Sequence, residues 1–243
     1  MDNLWLKGGF PDAVNGRTPH QLWMRNFIRT YLEQDLPMLG FPAGKSISER
    51  LWTMLAHHHA NLLNYSELSK SLELSVNTVK NYIRFLENTF LIRQLQPYHM
   101  NIKKRLVKAP KIYIRDAGIL HYFLDIPDFD SLYNNVKMGS SWEGFVIEQI
   151  ASAIDDDMNL SFFRTQQGAE LDLLIEKKGN LLAAIEIKYG SDPRLSKGNL
   201  LAAETLGVHR KFVITKSSEE YMLSNGFLVC DLQGFLEKHL LGL

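Results

Sequence analysis

The sequence predicts an α/β protein in which a helical N-terminal part and a winged helix precede a layered domain with a mixed sheet. After an irregular, Gly- and Pro-rich stretch near the N-terminus, apolar residues follow a helical spacing through most of positions 18–90. Short β-prone runs then recur between residues 159 and 231, separated by helical segments. Helices that flank such runs are typical of a sheet covered by helices, and we divide the chain at residues 1–62, 63–130 and 131–243.

Composition limits the classes of protein that fit. With 243 residues, 45% of them hydrophobic, the chain can bury the core of one large or two small domains. Lys+Arg and Asp+Glu both number 27, which excludes a globally basic nucleic-acid binder but leaves room for a basic patch. The single cysteine, Cys230, excludes an internal disulfide framework. No signal peptide or membrane span is apparent, so we expect a soluble, cytoplasmic protein with no membrane partner.

Residues 1–62 are predicted to be a helical lead-in. A strong helical pattern begins after Thr18, and we expect Pro37 to end it. Gly44-Lys45-Ser46 looks like the end of a phosphate-binding P-loop, but Leu39 stands where that motif needs its first glycine. We therefore expect no ATP site in this chain, and we interpret Ser46 to Glu49 as a capping box that opens the next helix.

Residues 63–130 have the pattern of a winged helix-turn-helix. A short helix around Glu67 to Leu72, a tight turn and a longer amphipathic helix follow one another. The β-prone runs at 91–98 and 111–116 would form the wing. Basic residues on the longer helix and between the runs predict contacts with nucleic-acid phosphates. They are Lys80, Arg84, Lys103, Lys104 and Arg105. Winged helices also serve as protein-contact modules, so both partners remain open.

Charged residues interrupt two apolar strands predicted at 169–176 and 182–189. A turn at Lys177 to Leu181, with Glu176 opposite Leu182, would make an antiparallel pair. In that register Asp172 faces Glu186, and Glu170 faces Lys188. Two carboxylates this close repel unless a proton or a cation lies between them, and Mg²⁺ suits such a pair. The alternative is a solvated strand face with a structural ion pair.

The preceding helix carries a further carboxylate. Glu143 falls on the same helical stripe as Ile147, Ile150 and Ile154, so it faces the core and needs a partner. Glu148 lies about 140° around that helix and is expected to need none.

Asp172, the run Glu186-Ile187-Lys188 and Glu143 together resemble the PD-(D/E)XK phosphodiesterase superfamily. Nearly the whole chain also resembles a narrower family, the uncharacterised C-terminal region that follows the ATPase domain of many AAA-type ATPases. The blocks that carry this resemblance include "LKGGFP", "GSSWEGFVIEQI", "FFRTQQGAELDLLIE" and "IEIKYG".

The resemblance implies a restriction-endonuclease-like α/β/α domain with a mixed sheet. Asp172 and Glu186 would ligate Mg²⁺ or Mn²⁺ with help from Glu143, Lys188 would position and activate a water, and Arg164 would contact a phosphate. The partners implied are nucleic acid and an AAA-type ATPase domain N-terminal to this region. The function implied is metal-dependent phosphodiester hydrolysis. A catalytically inactive DNA- or protein-binding regulatory module and a pure interaction scaffold are the alternatives.

Overall fold

The structure, a computed structural model, describes residues 1–16, 18–99, 106–216 and 219–243. The chain is a mixed α/β protein, as predicted, and it divides into two compact units. The first unit comprises residues 1–94 and 111–145, and the second comprises residues 95–110 and 146–243. The boundaries predicted after residues 62 and 130 both fall within the first unit.

The first unit is mainly helical. Its helices are α1 (Asp2–Lys7), α2 (Pro11–Asn15), α3 (His20–Thr30), α4 (Leu36–Met38), α5 (Lys45–His58), α6 (Tyr65–Leu72), α7 (Val76–Asn88), α8 (Ala117–Phe123) and α9 (Phe129–Tyr133). The helix α10 (Met138–Ala153) begins in this unit and ends in the second. The strand β1 (Asn61–Leu62) is short, and β2 (Ile92–Pro97) crosses from this unit into the second. The strand β3 (Lys111–Ile114) pairs with β1 in antiparallel fashion.

The helices α6 and α7 lie where the sequence predicts two helices joined by a turn. The side chain of Asn64 accepts a hydrogen bond from the backbone N–H of Glu67 and so begins α6. Ser75 begins α7 by accepting from the N–H of Thr78 at 3.1 Å. The predicted apolar face of α7 is confirmed, since Val79, Tyr82, Ile83 and Leu86 are buried.

Three local expectations in this unit were wrong. Pro37 does not end the helical segment, because a π-helical stretch at Tyr31–Asp35 leads into α4, which continues to Met38. Because a π-helical turn is wider than an α-helical one, the helix can continue although Pro37 has no N–H to donate. The helix α5 begins at Lys45 with Gly44 as its N-cap, so the capping box at Ser46 does not form. The Gly- and Pro-rich stretch near the N-terminus was expected to be irregular, yet it contains the helix α2.

Two buried histidines of the first unit are held in their neutral form. His121 Nδ1 donates to the carbonyl of Leu6 at 2.8 Å, so its Nε2 accepts from the Ser141 hydroxyl at 2.7 Å. His59 Nδ1 accepts from the backbone N–H of Ile114 at 3.0 Å. Burial lowers the pKa of His59 from 6.5 to about 3 and that of His121 to about 4. Protonation would place an N–H on His59 Nδ1 and on His121 Nε2, and each would then point at another hydrogen-bond donor.

Acidification is therefore expected to destabilise the protein between pH 6.5 and pH 4. The unfolded chain binds protons on these histidines below pH 6.5 while the folded chain does not, so stability falls as pH falls. From pH 7 to pH 5 each histidine should contribute a loss of about 2 kcal/mol. Urea unfolding at both pH values measures this loss. His121→Gln should show a pH dependence smaller by about that amount, while the exposed His57→Gln should match the wild type. Equal slopes for His121→Gln and the wild type would contradict the assignment.

The second unit is built on a mixed sheet, as predicted. Its strands are the end of β2 with β4 (Met158–Arg164), β5 (Glu170–Lys177), β6 (Asn180–Ile187), β7 (Lys211–Thr215), β8 (Tyr221–Met222) and β9 (Leu228–Asp231). They are ordered β2-β4-β5-β6-β7-β9-β8. Strands β4, β5 and β6 are antiparallel neighbours, whereas β6, β7 and β9 run parallel. The five longer strands after residue 157 lie where the apolar runs predict them, and the two-residue β8 was missed.

A helix covers one side of this sheet. The helix α11 (Lys197–Leu206) opens with a capping box between Ser196 and Asn199, and a short helix α12 (Leu232–Gly234) follows β9. Apolar residues of α11 and of the strands share one buried cluster, which includes Ala202, Ala203, Leu174, Ala184 and Val213. Small side chains on both sides allow close packing of the helix on the strands. None of the helices in the described ranges combines the length and the apolar character that a membrane span requires.

Candidate functional site

The candidate site lies on the hairpin formed by β5 and β6. Lys178 and Gly179, both with positive φ, make a two-residue turn, and Lys177 pairs with Asn180. Glu176 therefore lies opposite Leu181, and the prediction that it faces Leu182 was wrong. A bulge between Ile175 and Glu176 restores the predicted register, so that Leu173 pairs with Ile185. Asp172 is the residue that precedes Leu173, and Glu186 is the one that follows Ile185.

The structure brings Asp172, Glu186 and Lys188 together in this hairpin. Asp172 Oδ2 accepts a hydrogen bond of 3.0 Å from the backbone N–H of Ile187, the residue between the other two. Lys188 Nζ lies 2.6 Å from Glu186 Oε1. The backbone N–H of Lys188 donates to the carbonyl of Ile214 in β7 at 2.9 Å, so the end of the hairpin is held by the neighbouring strand.

Burial of the two carboxylates rejects the solvated-face interpretation. Glu186 is 2% exposed and Asp172 is 9% exposed. An ionised carboxylate removed from water is costly unless hydrogen bonds and opposite charge compensate. The backbone N–H supplies a hydrogen bond to Asp172, and the ammonium supplies opposite charge to Glu186. The side chain of Lys188 is 38% exposed, so its ammonium contacts the buried Glu186 carboxylate and the side chain also reaches solvent.

The hairpin offers two carboxylates to a divalent cation. Within residues 1–16, 18–99, 106–216 and 219–243, no group of three or more His, Cys, Asp or Glu side chains is arranged to hold a metal ion. A donor set of two carboxylates suits Mg²⁺, which usually keeps several waters and binds one or two protein carboxylates. By composition Asp172 and Glu186 fit that requirement, and a larger protein cage is not needed.

Arg164 and Glu170 form an ion pair beside the hairpin. They are partners in the β4–β5 ladder, and Arg164 Nη1 lies 3.4 Å from Glu170 Oε2. The ladder between β5 and β6 ends at Leu173 and Ile185, so the pairing expected between Glu170 and Lys188 falls outside it. Arg164 keeps 39% of its side chain exposed, which leaves its guanidinium accessible to a phosphate.

Glu143 belongs to the first unit, and its partners there are Lys111 and Tyr113. The Tyr113 hydroxyl donates to Glu143 Oε1 at 2.6 Å, and Lys111 Nζ lies 3.1 Å from the same oxygen. Lys111 is 3% exposed and the Glu143 side chain 16% exposed. The expectation that this inward-facing carboxylate needs a partner is confirmed. Its assisting role at the metal remains a prediction from the resemblance.

Sequence reasoning missed the burial of Glu148. We expected this residue to need no partner, yet it is only 9% exposed, and it lies in the second unit with Asp172 and Glu186. The helix α10 is buried on nearly all sides from Ser141 to Ile150. A helix that is apolar around most of its circumference is expected to be buried on most sides. Gly144 and Phe145, the small and apolar neighbours of Glu148 on the helix surface, could have indicated its burial.

The predicted nucleic-acid contacts lie partly in the described chain. Lys80 and Arg84 are exposed on α7, in the same stripe as Asn77 and Asn81 and away from its buried face. Lys80 Nζ lies 5.6 Å from the ring centroid of Tyr65. Lys103, Lys104 and Arg105 fall outside the described residues.

These features define a two-unit mixed α/β protein with a buried pair of carboxylates and an ammonium on a central hairpin. The chain belongs to the family described as a domain of unknown function, DUF8612, whose model matches residues 1–130. A second model, the domain of unknown function DUF4143, matches residues 138–235.

The chain is similar to two mycobacterial proteins. They are "Uncharacterized protein Mb2031c" of Mycobacterium bovis and "Uncharacterized protein Rv2008c" of Mycobacterium tuberculosis, each 40% identical over 226 residues. The match covers 92% of this chain but 51% of each relative, so the chain spans about half the length of the curated relatives it matches. No solved structure matches the chain.

Proposed function

We propose that this chain is the C-terminal module of an ATPase-associated protein, binding nucleic acid through a winged helix and hydrolysing phosphodiesters in a restriction-endonuclease-like domain. One observation carries the proposal: Asp172 and Glu186 are buried carboxylates on adjacent strands, and the ammonium of Lys188 contacts one of them at 2.6 Å. Acidic pairs beside an amine are suited to holding a cation and a phosphate oxygen in one place.

Each side chain has a defined task in this proposal. Asp172 and Glu186 would hold Mg²⁺ or Mn²⁺, which when bound supplies a positive charge that polarises a phosphoryl oxygen and acidifies water. Lys188 is the residue of the three whose side chain reaches solvent, so its ammonium can donate to a phosphate oxygen. The hydrogen bond from Ile187 holds the Asp172 carboxylate in one orientation.

The first unit would supply contacts to nucleic acid. The exposed stripe of α7, with Lys80 and Arg84, offers two cations at a spacing of four residues on one helix face. The side chains of Asn77 and Asn81 on the same stripe can donate and accept hydrogen bonds at base edges. Lys103, Lys104 and Arg105 would add phosphate contacts.

A plasmid-nicking assay tests the proposal. With Mg²⁺ or Mn²⁺ the wild-type chain should cleave, and EDTA should abolish cleavage. Asp172→Asn and Glu186→Gln should each reduce the rate by about 100-fold or more, the order of loss expected when a group that organises transition-state charge is removed. Glu204→Gln, which changes an exposed carboxylate of the same unit, is the matched control and should retain the wild-type rate.

Two outcomes would refute hydrolysis. One is the absence of wild-type cleavage with either metal. The other is cleavage that persists unchanged in Asp172→Asn, which would identify a contaminating nuclease. Thermal unfolding of every variant separates loss of chemistry from loss of fold.

A second candidate function is a catalytically inactive regulatory module of a parent AAA-type ATPase. The observation that favours it is the ion pair itself, because the ammonium of Lys188 supplies opposite charge to Glu186 from within the chain. This function predicts DNA binding that persists in EDTA, weakens with added salt and decreases in Lys80→Gln/Arg84→Gln. The parent ATPase would account for the remaining length of relatives that this chain matches over 51% of their length.

A further inference from the structure

A basic cavity lies in the second unit, away from the carboxylate hairpin. Its volume is about 400 Å³, and it opens where β7 and β9 begin. Of the residues that the structure describes, five basic side chains and no acidic side chain line it. They are His209, Arg210, Lys211, Lys238 and His239. A cavity with this lining has a positive potential.

Two of these cations have backbone carbonyls as hydrogen-bond acceptors, and Lys211 Nζ also lies 5.3 Å from the ring centroid of Phe227. Arg210 Nη1 donates to the carbonyl of Gly242, and Lys211 Nζ donates to that of Asn225 at 3.1 Å. Neither residue forms an ion pair with a carboxylate in the part of the chain that the structure describes. A carbonyl dipole satisfies a donor without neutralising the charge, so both side chains keep donors and charge available to an anion.

Lys238 and His239, two of the other basic side chains of the cavity, share the carboxylate of Glu220. Glu220 Oε2 lies 3.7 Å from Lys238 Nζ and 3.2 Å from His239 Nε2. Of the three permanent cations that line the cavity, Lys238 pairs with this carboxylate, which does not itself line the cavity. The positive charge that no carboxylate of the described residues compensates is therefore that of Arg210 and Lys211, whereas Lys238 shares Glu220 with His239.

An apolar wall completes the cavity. Phe212, Leu228 and Met222 line it, and Met222 is 63% exposed. The ring of Phe212 packs edge-on against Phe235, which fixes its orientation. Cations beside a fixed aromatic ring and a flexible thioether suit a ligand that carries phosphate next to a flat apolar group.

The cavity and the hairpin site occupy opposite ends of the parallel strands. Lys211, the first residue of β7, pairs with Ala184, whereas Glu186 pairs with Val213. Lys188 is bonded to Ile214, three residues further along β7 than Lys211, which is about 10 Å of strand. A ligand in the cavity is therefore separate from one at the carboxylates.

We propose that this cavity is a phosphate-binding site that accepts the phosphate of a nucleotide or of a nucleic-acid 5′ end, with the oxyanions on Arg210, Lys211 and Lys238. The attached base or sugar would lie against Met222, the exposed apolar side chain of the lining. This proposal does not depend on hydrolysis at Asp172 and Glu186.

Isothermal titration calorimetry on the whole chain tests the site. Pyrophosphate and ADP should bind, while adenosine, which has no phosphate, should not. Arg210→Gln/Lys211→Gln should weaken binding by about tenfold or more, as expected when charge-assisted hydrogen bonds are lost. Arg194→Gln/Lys197→Gln, an exposed Arg and Lys pair in the same unit, removes the same charge elsewhere and should bind like the wild type. If the first double variant does not fold, Lys238→Gln, whose side chain is 66% exposed, should weaken binding instead.

Oligonucleotides with and without a 5′ phosphate distinguish the two sources of phosphate. Stronger binding of the phosphorylated strand, lost in Arg210→Gln/Lys211→Gln, identifies a nucleic-acid end. Binding of ADP without that preference identifies a free nucleotide. The proposal is overturned if pyrophosphate, ADP and the phosphorylated strand all fail to bind, or if both double variants bind them equally.

Discussion

Replacing Glu143 by leucine is expected to lower the free energy of unfolding by about 3 kcal/mol, the lower end of the range for breaking a buried ion pair. Lys111 is 3% exposed, and its ammonium lies 3.1 Å from the Glu143 carboxylate. Leucine removes that carboxylate and with it a negative charge that compensates a buried ammonium. It also removes the acceptor of the Tyr113 hydroxyl. Urea unfolding with the slope held common between variants measures the change.

Further variants show whether the loss of stability comes from breaking the ion pair or from replacing Glu143 itself. Lys111→Met/Glu143→Leu should cost less than the sum of its two single variants, because the double variant buries neither charge. Glu49→Leu makes the same substitution in an exposed ion pair of α5 and should cost less than about 1 kcal/mol. A Glu143→Leu protein as stable as the wild type would contradict the assignment.

The same substitution bears on the proposed site. The resemblance implies that Glu143 assists a metal, whereas its observed partners are Lys111 and Tyr113. If Glu143→Gln loses cleavage but keeps its stability, the residue acts in the chemistry. If cleavage and stability decrease together, its role is to hold α10 against β3.

Replacing Gly118 by alanine is expected to destabilise the protein by about 2 kcal/mol, although alanine is the better helix former. Helix propensity favours alanine by about 1 kcal/mol. A Cβ on Gly118, however, would lie 2.2 Å from the backbone oxygen of Lys7 and 2.9 Å from Met24 Cε. The backbone at the end of α1 would have to move, and overpacking of this kind costs about 1–3 kcal/mol or more. The steric cost therefore exceeds the gain in propensity.

Gly139 provides the matched control for this prediction. It lies in the first turn of α10, and apart from its chain neighbours and the backbone of its own helix no heavy atom of the described residues lies within 4 Å of the position its Cβ would take. Gly139→Ala should be neutral or stabilising by up to about 1 kcal/mol. Thermal unfolding of the two variants side by side compares the same chemical change with and without a clash. A Gly118→Ala protein more stable than the wild type would show that α1 yields at little cost.

Local pattern was sufficient for most elements of the fold. Helical spacing predicted α7 and its buried Val79, Ile83 and Leu86, and the apolar runs predicted β4, β5, β6, β7 and β9. Alternation along two strands also predicted the central register of the hairpin, with Leu173 opposite Ile185. These features depend on which face of an element is apolar, and that information lies within a few residues of each position.

Short-range competition between backbone geometries was harder to predict. Three features differ from the alternatives that the sequence indicated. They are the two-residue turn at Lys178 and Gly179 with its bulge, the π-helical stretch before Pro37 and the N-cap at Gly44. In each case the alternatives differ by little free energy locally, and packing of the surrounding chain selects one.

The sequence by itself determined most of the helices and strands, the apolar face of α7 and the candidate residues Asp172, Glu186 and Lys188. Only the tertiary structure decided that the two carboxylates are buried, that Glu148 is buried with them in the second unit, and that Glu143 pairs with Lys111, 32 positions earlier in the chain. The physical reason is that the environment of a charge depends on which distant segments exclude water from it and which bring an opposite charge to it.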